Sequence, residues 1–230
     1  MRSVVILNEK KKLITVAIDS PAASGAGTQG KLIANHYNLL YLDTGKIYRI
    51  IGRLKILNPT KFNYKLVKRT ISKINIKKLK NKNLLSDKVA ISASLISKDK
   101  KIRKIVKNFQ LECAYKPPKR YFGSVLDGRD ITSVLMRNAM FKFYITASLK
   151  VRAKRRYLEY KKLNKKISYE DVVKSLKKRD KTDKNRKISP LKKTPDSILI
   201  NTSKLSKKAY FKKIKSIIDK KLINGNLQRS

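Results

Sequence analysis

Ser20-Pro21-Ala22-Ala23-Ser24-Gly25-Ala26-Gly27-Thr28 is built almost wholly of small, turn-forming residues. Backbone N–H groups in such a loop, beside a helix N-terminus, converge on an anion, so its natural chemistry is phosphate binding. The usual phosphate-loop pattern is G-x-x-x-x-G-K-[ST]. Gly25 and Thr28 suit it, but Ser20 stands at the first glycine, Ala26 at the lysine, and Gly27 intervenes before Thr28. The literal pattern fails. Standing alone, the segment reads as a plain strand-to-helix connection.

Three further clusters keep it company. They are Asp43-Thr44-Gly45-Lys46-Ile47-Tyr48-Arg49, Asp127-Gly128-Arg129-Asp130, and Arg179-Asp180-Lys181-Thr182-Asp183-Lys184-Asn185-Arg186. Each sets arginine beside short polar or acidic residues at an expected strand or helix end. Guanidinium forks match phosphate oxygens, and a neighbouring carboxylate can accept from a ribose hydroxyl or a base amino group. One such cluster is ordinarily a surface ion pair. Three, behind a phosphate-type loop, point to a cleft for two phosphorylated ligands.

The elements that must position these groups follow from the pattern. Leu13 to Ile18 is a compact apolar strand, and Gln29 to Tyr37 has helical composition; strand, loop, helix opens a parallel α/β unit. Leu39 to Leu42 is a second strand, followed by a helix carrying Ile47, Ile50, Ile51 and Leu54. Residues 58–85 are Lys/Asn-rich and weakly periodic, which suggests a mobile appendage. Ser86 and Asp99 are placed to cap helices running to about Ser97 and Tyr115, and Pro117-Pro118 stops the second. Strands are expected at Phe122 to Leu126, Phe141 to Ile145 and Ser197 to Ile200. Helices are expected from Ser148 to about Leu163, from Ser168 with a capping-box spacing, and from about Lys204 to Leu222. In the last, Leu205, Tyr210, Ile214, Ile217 and Ile218 form a loose apolar stripe, as for a docked surface helix.

Composition bounds the function. The chain has 230 residues, and 41% hydrophobic content supports a real core. A single cysteine, Cys113, forbids an intrachain disulfide and suits a reducing compartment. One cysteine and one histidine, His36, cannot build a Cys/His zinc cluster. No apolar run is long enough to span a bilayer, and no secretory signal is read at the N-terminus, so the expected setting is cytoplasmic, without a membrane. The formal charge is +44, from 45 lysines and 14 arginines against 15 acids. Such a field attracts polyanions, but the basic residues are scattered over the whole length, as on a solvated surface. Nucleic acid is expected to bind non-specifically if at all.

Taken in order, these motifs resemble the bacterial cytidylate kinases, relatives of adenylate kinase. The family loop D-G-P-A-[AGS]-S-G-K-[GS]-T is followed by Asp19 to Thr28 except at Ser20 and Ala26. Y-L-D-[ST]-G-x-x-Y-R is met by Tyr41 to Arg49, and D-G-R-D by Asp127 to Asp130. V-A-x-x-A-S with a later arginine resembles Val89 to Ser94 and Arg103. E-R-A-x-R-R resembles Val151 to Arg156, with Val151 in place of the acid. R-D-x-x-D-x-x-R matches Arg179, Asp180, Asp183 and Arg186.

The resemblance implies a single α/β domain over 1–230. Its fold would be a three-layer parallel-sheet P-loop kinase, with a reduced monophosphate-binding insert at about 58–116 and a helical lid at about 150–188. It implies ATP-dependent phosphorylation of CMP and dCMP, with Mg²⁺ accompanying ATP, in a monomer. Ser20 to Thr28 would bind ATP, and Thr28 would sit beside the metal. Arg49, Arg129 and Arg186 would hold the CMP phosphate, near Thr44. Ser94, Arg103 and Asp130 would read the cytosine edge, and Arg179 and Asp183 the sugar. Arg152, Arg155 and Arg156, on a mobile lid, would approach the transferring phosphate. Ala26 removes the cation that normally touches the β- and γ-phosphates; Lys31, one helical turn on, is expected to point elsewhere. The alternative is therefore a catalytically impaired nucleotide- or nucleic-acid-binding protein on the same fold.

Overall fold

In a computed structural model, which describes residues 13–74, 79, 82–164 and 166–227, five parallel strands form one sheet in the order β2-β3-β1-β4-β5. The strands are β1 (Ile14–Asp19), β2 (Leu40–Asp43), β3 (Gly123–Gly128), β4 (Phe141–Thr146) and β5 (Ile198–Asn201). The helices are α1 (Ala26–His36), α2 (Thr44–Leu57), α3 (Tyr64–Ser72), α4 (Asp87–Ile96), α5 (Lys100–Tyr115), α6 (Leu149–Lys162), α7 (Tyr169–Asn185) and α8 (Lys207–Leu227).

The period-2 alternation of β1 divides the core into two layers. Val16 and Ile18 face the layer built with Ile33 of α1 and Tyr210, Ile214 and Ile218 of α8. Ala17 faces the opposite layer, with Ile47 and Ile51 of α2, Val67 and Ile71 of α3, and Ile102 and Val106 of α5. A smaller cluster joins α6 and α7 to the loop after β1, through Ala22, Ala153, Val172 and Leu176.

The expected caps form. The Ser86 and Ser148 hydroxyls and the Asp99 carboxylate accept from the first backbone N–H groups of α4, α6 and α5, and Ser168 accepts from Asp171 N at 3.0 Å. Residues 58–85 depart from expectation. Asn63 caps α3 through Leu66 N, and Val67 and Ile71 are buried, so this part of the stretch is packed structure. Among the described residues of 58–116 there is no strand.

Register brings the chemistry to one edge. Asp19 pairs with Gly128 across β1 and β3, and Asp43 with Asp127 across β2 and β3. The carboxyl ends of three strands thus finish together at the point where the chain order reverses around β1, where open α/β sheets bind ligands.

Candidate active site

A cleft of about 860 Å³ opens over those strand ends. The entire Ser20–Thr28 loop lines it, together with Thr44, Arg49, Ser94, Arg103, Arg129, Asp130, Arg155, Arg156, Arg179, Asp183 and Arg186. Of the residues singled out from the sequence, Arg152 alone does not reach it.

The loop is curled by two left-handed residues, Ala23 (φ 62°) and Gly25 (φ 90°). This kind of curl aims successive backbone N–H groups at one point, next to the unpaired N–H groups that begin α1. Ser20 does not take a positive φ; its N–H donates to Gly128 O at 3.2 Å, so serine is accommodated where a glycine was expected. Asp19, just before it, fixes the loop to the D-G-R-D segment. Its buried carboxyl accepts from Ile131 N (2.7 Å), Thr132 N (2.9 Å) and Thr132 Oγ1 (2.6 Å). Burial raises this carboxyl to about 6, despite those three donors.

One part of the cleft is a crowd of guanidinium groups. Burial, then the nearby Arg129, Arg156 and Arg49 charges, lowers Arg179 to about 10; Asp183 only partly offsets them. Arg179 makes no ion pair within 4 Å among the described residues. Arg186 is likewise lowered, chiefly by burial, and its Nη2 lacks a hydrogen-bond partner while lying 3.5 Å from Asp130 Oδ1. Arg129 Nε donates to Asp183 Oδ2 at 2.7 Å, and Arg49 Nη1 to Leu84 O at 2.7 Å. Positive charge held in a partly buried cleft with too few acids is a receptor for a dianion.

Beside it lies the expected base-reading set. Arg103 pairs with Asp130 and donates to Ser97 O, while Ser94 lines the cleft from α4. Thr44 also lines the cleft, and its Oγ1 donates to Asp127 O at 2.8 Å, which ties the start of α2 to β3.

The three arginines of α6 divide three ways. Arg152 is 5% exposed; it donates to both oxygens of Asp180 (3.0 and 2.5 Å), to Ala147 O and to Ala22 O. It bolts α6 to α7 and to the phosphate loop, and faces no phosphate. Arg155 lines the cleft, but its guanidinium holds Ser24 O (3.2 Å), Thr202 Oγ1 (3.0 Å) and Thr202 O (2.8 Å), tying the loop to the end of β5. Arg156 faces the cleft with Glu159 as its ion-pair partner at 2.9 Å.

Sequence reasoning assigned no role to Asp127, Tyr41, Lys31 or Tyr210, all of which line the cleft. Tyr41 donates to Asp127 Oδ2 at 3.0 Å, and burial and the nearby Asp43 push the Asp127 carboxyl well above the ordinary carboxylate range. A signal for Asp127 existed: it opens D-G-R-D at a strand end. Lys31 corrects an expectation, for it does not point away. Its ammonium lies 5.9 Å from the Tyr41 ring centre. Thr28 and Asp127 offer hard oxygen donors that suit a divalent cation carried by a nucleotide. Among the described residues no group of three His, Cys, Asp or Glu could hold a metal unaided.

Comparison with known proteins agrees with this geometry. The cytidylate kinase family model matches residues 16–220. A cytidylate kinase of Clostridium botulinum is 34% identical over 218 residues, covering 90% of this chain and 98% of its own. One of Bradyrhizobium diazoefficiens is 38% identical over 191 residues, covering 83% and 88%. Among solved structures, an uncharacterized protein from Eubacterium ventriosum superposes with a TM-score of 0.56 at 18% identity, over 91% of this chain and 99% of its own; it speaks for the fold alone.

Proposed function

The chain belongs to the cytidylate kinase family of phosphotransferases, and on that footing we propose that it transfers the γ-phosphoryl group of ATP to CMP and dCMP, giving CDP and dCDP. The observation that carries this reading is the placement of Arg129, Arg179 and Arg186, of which Arg179 has no ion pair among the described residues, on one cleft with the Ser20–Thr28 loop. One anchor suits a triphosphate and the other a monophosphate.

The loop N–H groups cradle the donor phosphates, and Arg155 and Asp19 hold that loop in shape from either side. The arginine cluster binds the acceptor phosphate and turns one of its oxygens toward the donor. No general base is required, because the acceptor oxygen is already anionic. Transfer passes through a loose transition state, so positioning and charge stabilisation supply most of the catalysis. Arg156, on α6, lines the cleft and would meet the charge that develops during transfer. Mg²⁺, brought with ATP and held by Thr28 and Asp127, would offset charge on the donor phosphates. Closure of α6 and α7 over the cleft would exclude water, which competes as acceptor. Among the described residues no helix is long and apolar enough to cross a membrane.

A coupled assay across nucleoside monophosphates at physiological salt tests the reading. Turnover of CMP and dCMP well above UMP and AMP supports it. Ala26 favours one rival, a nucleotide-binding protein without transferase activity; binding of ATP and CMP with no transfer would establish that rival.

A further inference from the structure

The family's loop cation is missing at position 26, where Ala26 is a small, largely buried residue. Ala26 is 5% exposed and packs in the cluster that contains Ile33, Tyr210 and Ile214. A replacement must come from elsewhere on the cleft.

Lys31 stands four residues after Gly27 and three after Thr28, so all three share one face of α1, one turn of about 5.4 Å apart. Helical side chains lean toward the N-terminus, so the Lys31 stem runs back over the turn that ends at the phosphate loop. Glycines on this face of α1 let Tyr41 pack against the helix. A Cβ at Gly30 would come within 2.7 Å of the Tyr41 ring, and one at Gly27 within 3.2 Å of both the Tyr41 hydroxyl and Asp127 Oδ2. Tyr41 therefore lies flush against the helix, and the Lys31 ammonium rests over its ring at 5.9 Å. Gly27, Tyr41, Asp127 and Lys31 thus form one patch at the mouth of the loop, beside Thr28. The ammonium makes no ion pair within 4 Å among the described residues, and its charge acts on the Asp127 carboxyl against the effect of burial. Lys46, Lys162 and Lys207 also line the cleft, but from α2, α6 and α8, and none shares a face with Thr28.

We propose that Lys31, reaching back one turn along α1, is the cation that contacts the β- and γ-phosphates of ATP in place of the lysine absent at Ala26. The assignment rests on the kinase reading, and it makes the loss at position 26 a relocation of charge within α1.

Three variants test it: Lys31→Met, Lys31→Arg, and Lys212→Met as a charge-matched control on the exposed face of α8. In single-turnover transfer from ATP to CMP, Lys31→Met should lose on the order of a hundredfold, Lys31→Arg should keep most of the rate, and Lys212→Met should match the native chain. Calorimetric titration without Mg²⁺ separates direct contact from an effect through Asp127. A direct contact predicts that Lys31→Met weakens ATP binding several-fold and leaves AMP binding at the same loop unchanged. An effect through Asp127 predicts no weakening, because removing Lys31 favours the neutral carboxyl. Transfer and ATP affinity within twofold of native in Lys31→Met would overturn the proposal. If the native chain phosphorylates no nucleoside monophosphate, the kinase reading fails, and the ATP-against-AMP titration still decides for or against Lys31.

Discussion

Arg129 Nε donates to Asp183 Oδ2 across 2.7 Å, so the arginine that follows β3 is held by a carboxylate on α7. The pair joins the carboxyl end of β3 to α7, and both partners line the cleft. On the proposed reading, a phosphate entering the arginine cluster would meet a guanidinium already aimed and kept in place by a carboxylate. Asp183, expected from its motif to hold the sugar, in this state orients Arg129.

Substituting Arg129 should therefore separate the two nucleotides. Arg129→Ala would remove the proposed charge-assisted contact to the monophosphate, and CMP affinity should fall by about tenfold to a hundredfold. If ATP binds the Ser20–Thr28 loop as proposed, its affinity should stay within about twofold. Calorimetry with each nucleotide alone measures both, and equal losses would mean that Arg129 acts on the fold.

Arg152 should behave as a stability residue. It pairs with Asp180 on α7, with side-chain exposures of only 6% and 19%. Leaving one partner of a buried pair alone costs about 3–5 kcal/mol. Arg152→Met and Asp180→Asn should each lower the midpoint of urea unfolding, while the double variant recovers part of the loss. Native-like midpoints in both single variants would contradict a structural role.

The contrast between Arg152 and Arg129 shows what sequence spacing could and could not reveal. The loop, the D-G-R-D turn and the R-D-x-x-D-x-x-R segment are local strings, and their strand or helix ends were readable from composition. That Asp180 faces α6 while Asp183, one turn later, faces β3 depends on how α7 packs, and no local string encodes it. Lys31 was misjudged for a related reason. Its ammonium lies over Tyr41, which packs against Gly27 and Gly30, and no local string encodes that contact. The appendage read at 58–85 hid α3, because a nine-residue helix burying two side chains leaves too short a pattern to register.

Base selection should depend on Asp130. Its carboxylate faces Arg103 and Arg186, and Ser94 lies in the same part of the cleft. A pocket that hydrogen-bonds the cytosine edge leaves its own groups unpaired against uracil, so native kcat/KM should favour CMP over UMP by at least about a hundredfold. Asp130→Asn should shrink that ratio chiefly by lowering the CMP value. Comparable native constants for the two substrates would remove Ser94, Arg103 and Asp130 from base recognition.

The buried carboxyls give a signed pH effect. Burial raises Asp19 from 3.8 to about 6 and also raises Asp127. Between about pH 4 and about pH 6 the folded chain holds a proton on Asp19 that the unfolded chain has released. Stability from this group therefore declines as pH rises through that window and levels off above it. Asp127 extends the decline in the same direction. Between about pH 5 and about pH 8 the unfolding free energy of Asp127→Asn should fall less than that of the native chain. Equal falls would show that Asp127 ionises normally.

Gly52 offers a way to perturb acceptor binding without touching a ligand. It lies on α2, where a Cβ would come within 2.8 Å of the Ala93 backbone nitrogen and 3.1 Å of Val89 O on α4. Backbone is what it would strike, so no rotamer change can relieve the clash. The helices are also tied there by Ser92 Oγ, which donates to Gly52 O at 3.1 Å. This contact sets the distance between Arg49, one turn before Gly52, and Ser94, one residue after Ala93, both of which line the cleft. Gly52→Val must push α4 away from α2. The expected result is a rise in KM for CMP of about tenfold or more, since a shift of about 1 Å in a positioning group carries that order of cost. Unfolding free energy should drop by about 1–3 kcal/mol from the overpacked contact. ATP affinity should hold, because the Ser20–Thr28 loop is fixed by Asp19, Arg152 and Arg155, none of which touches α4. Steady-state kinetics with each substrate varied in turn, alongside urea unfolding, reads all three quantities. A variant that loses ATP and CMP affinity in parallel would show that α2 and α4 support the whole cleft.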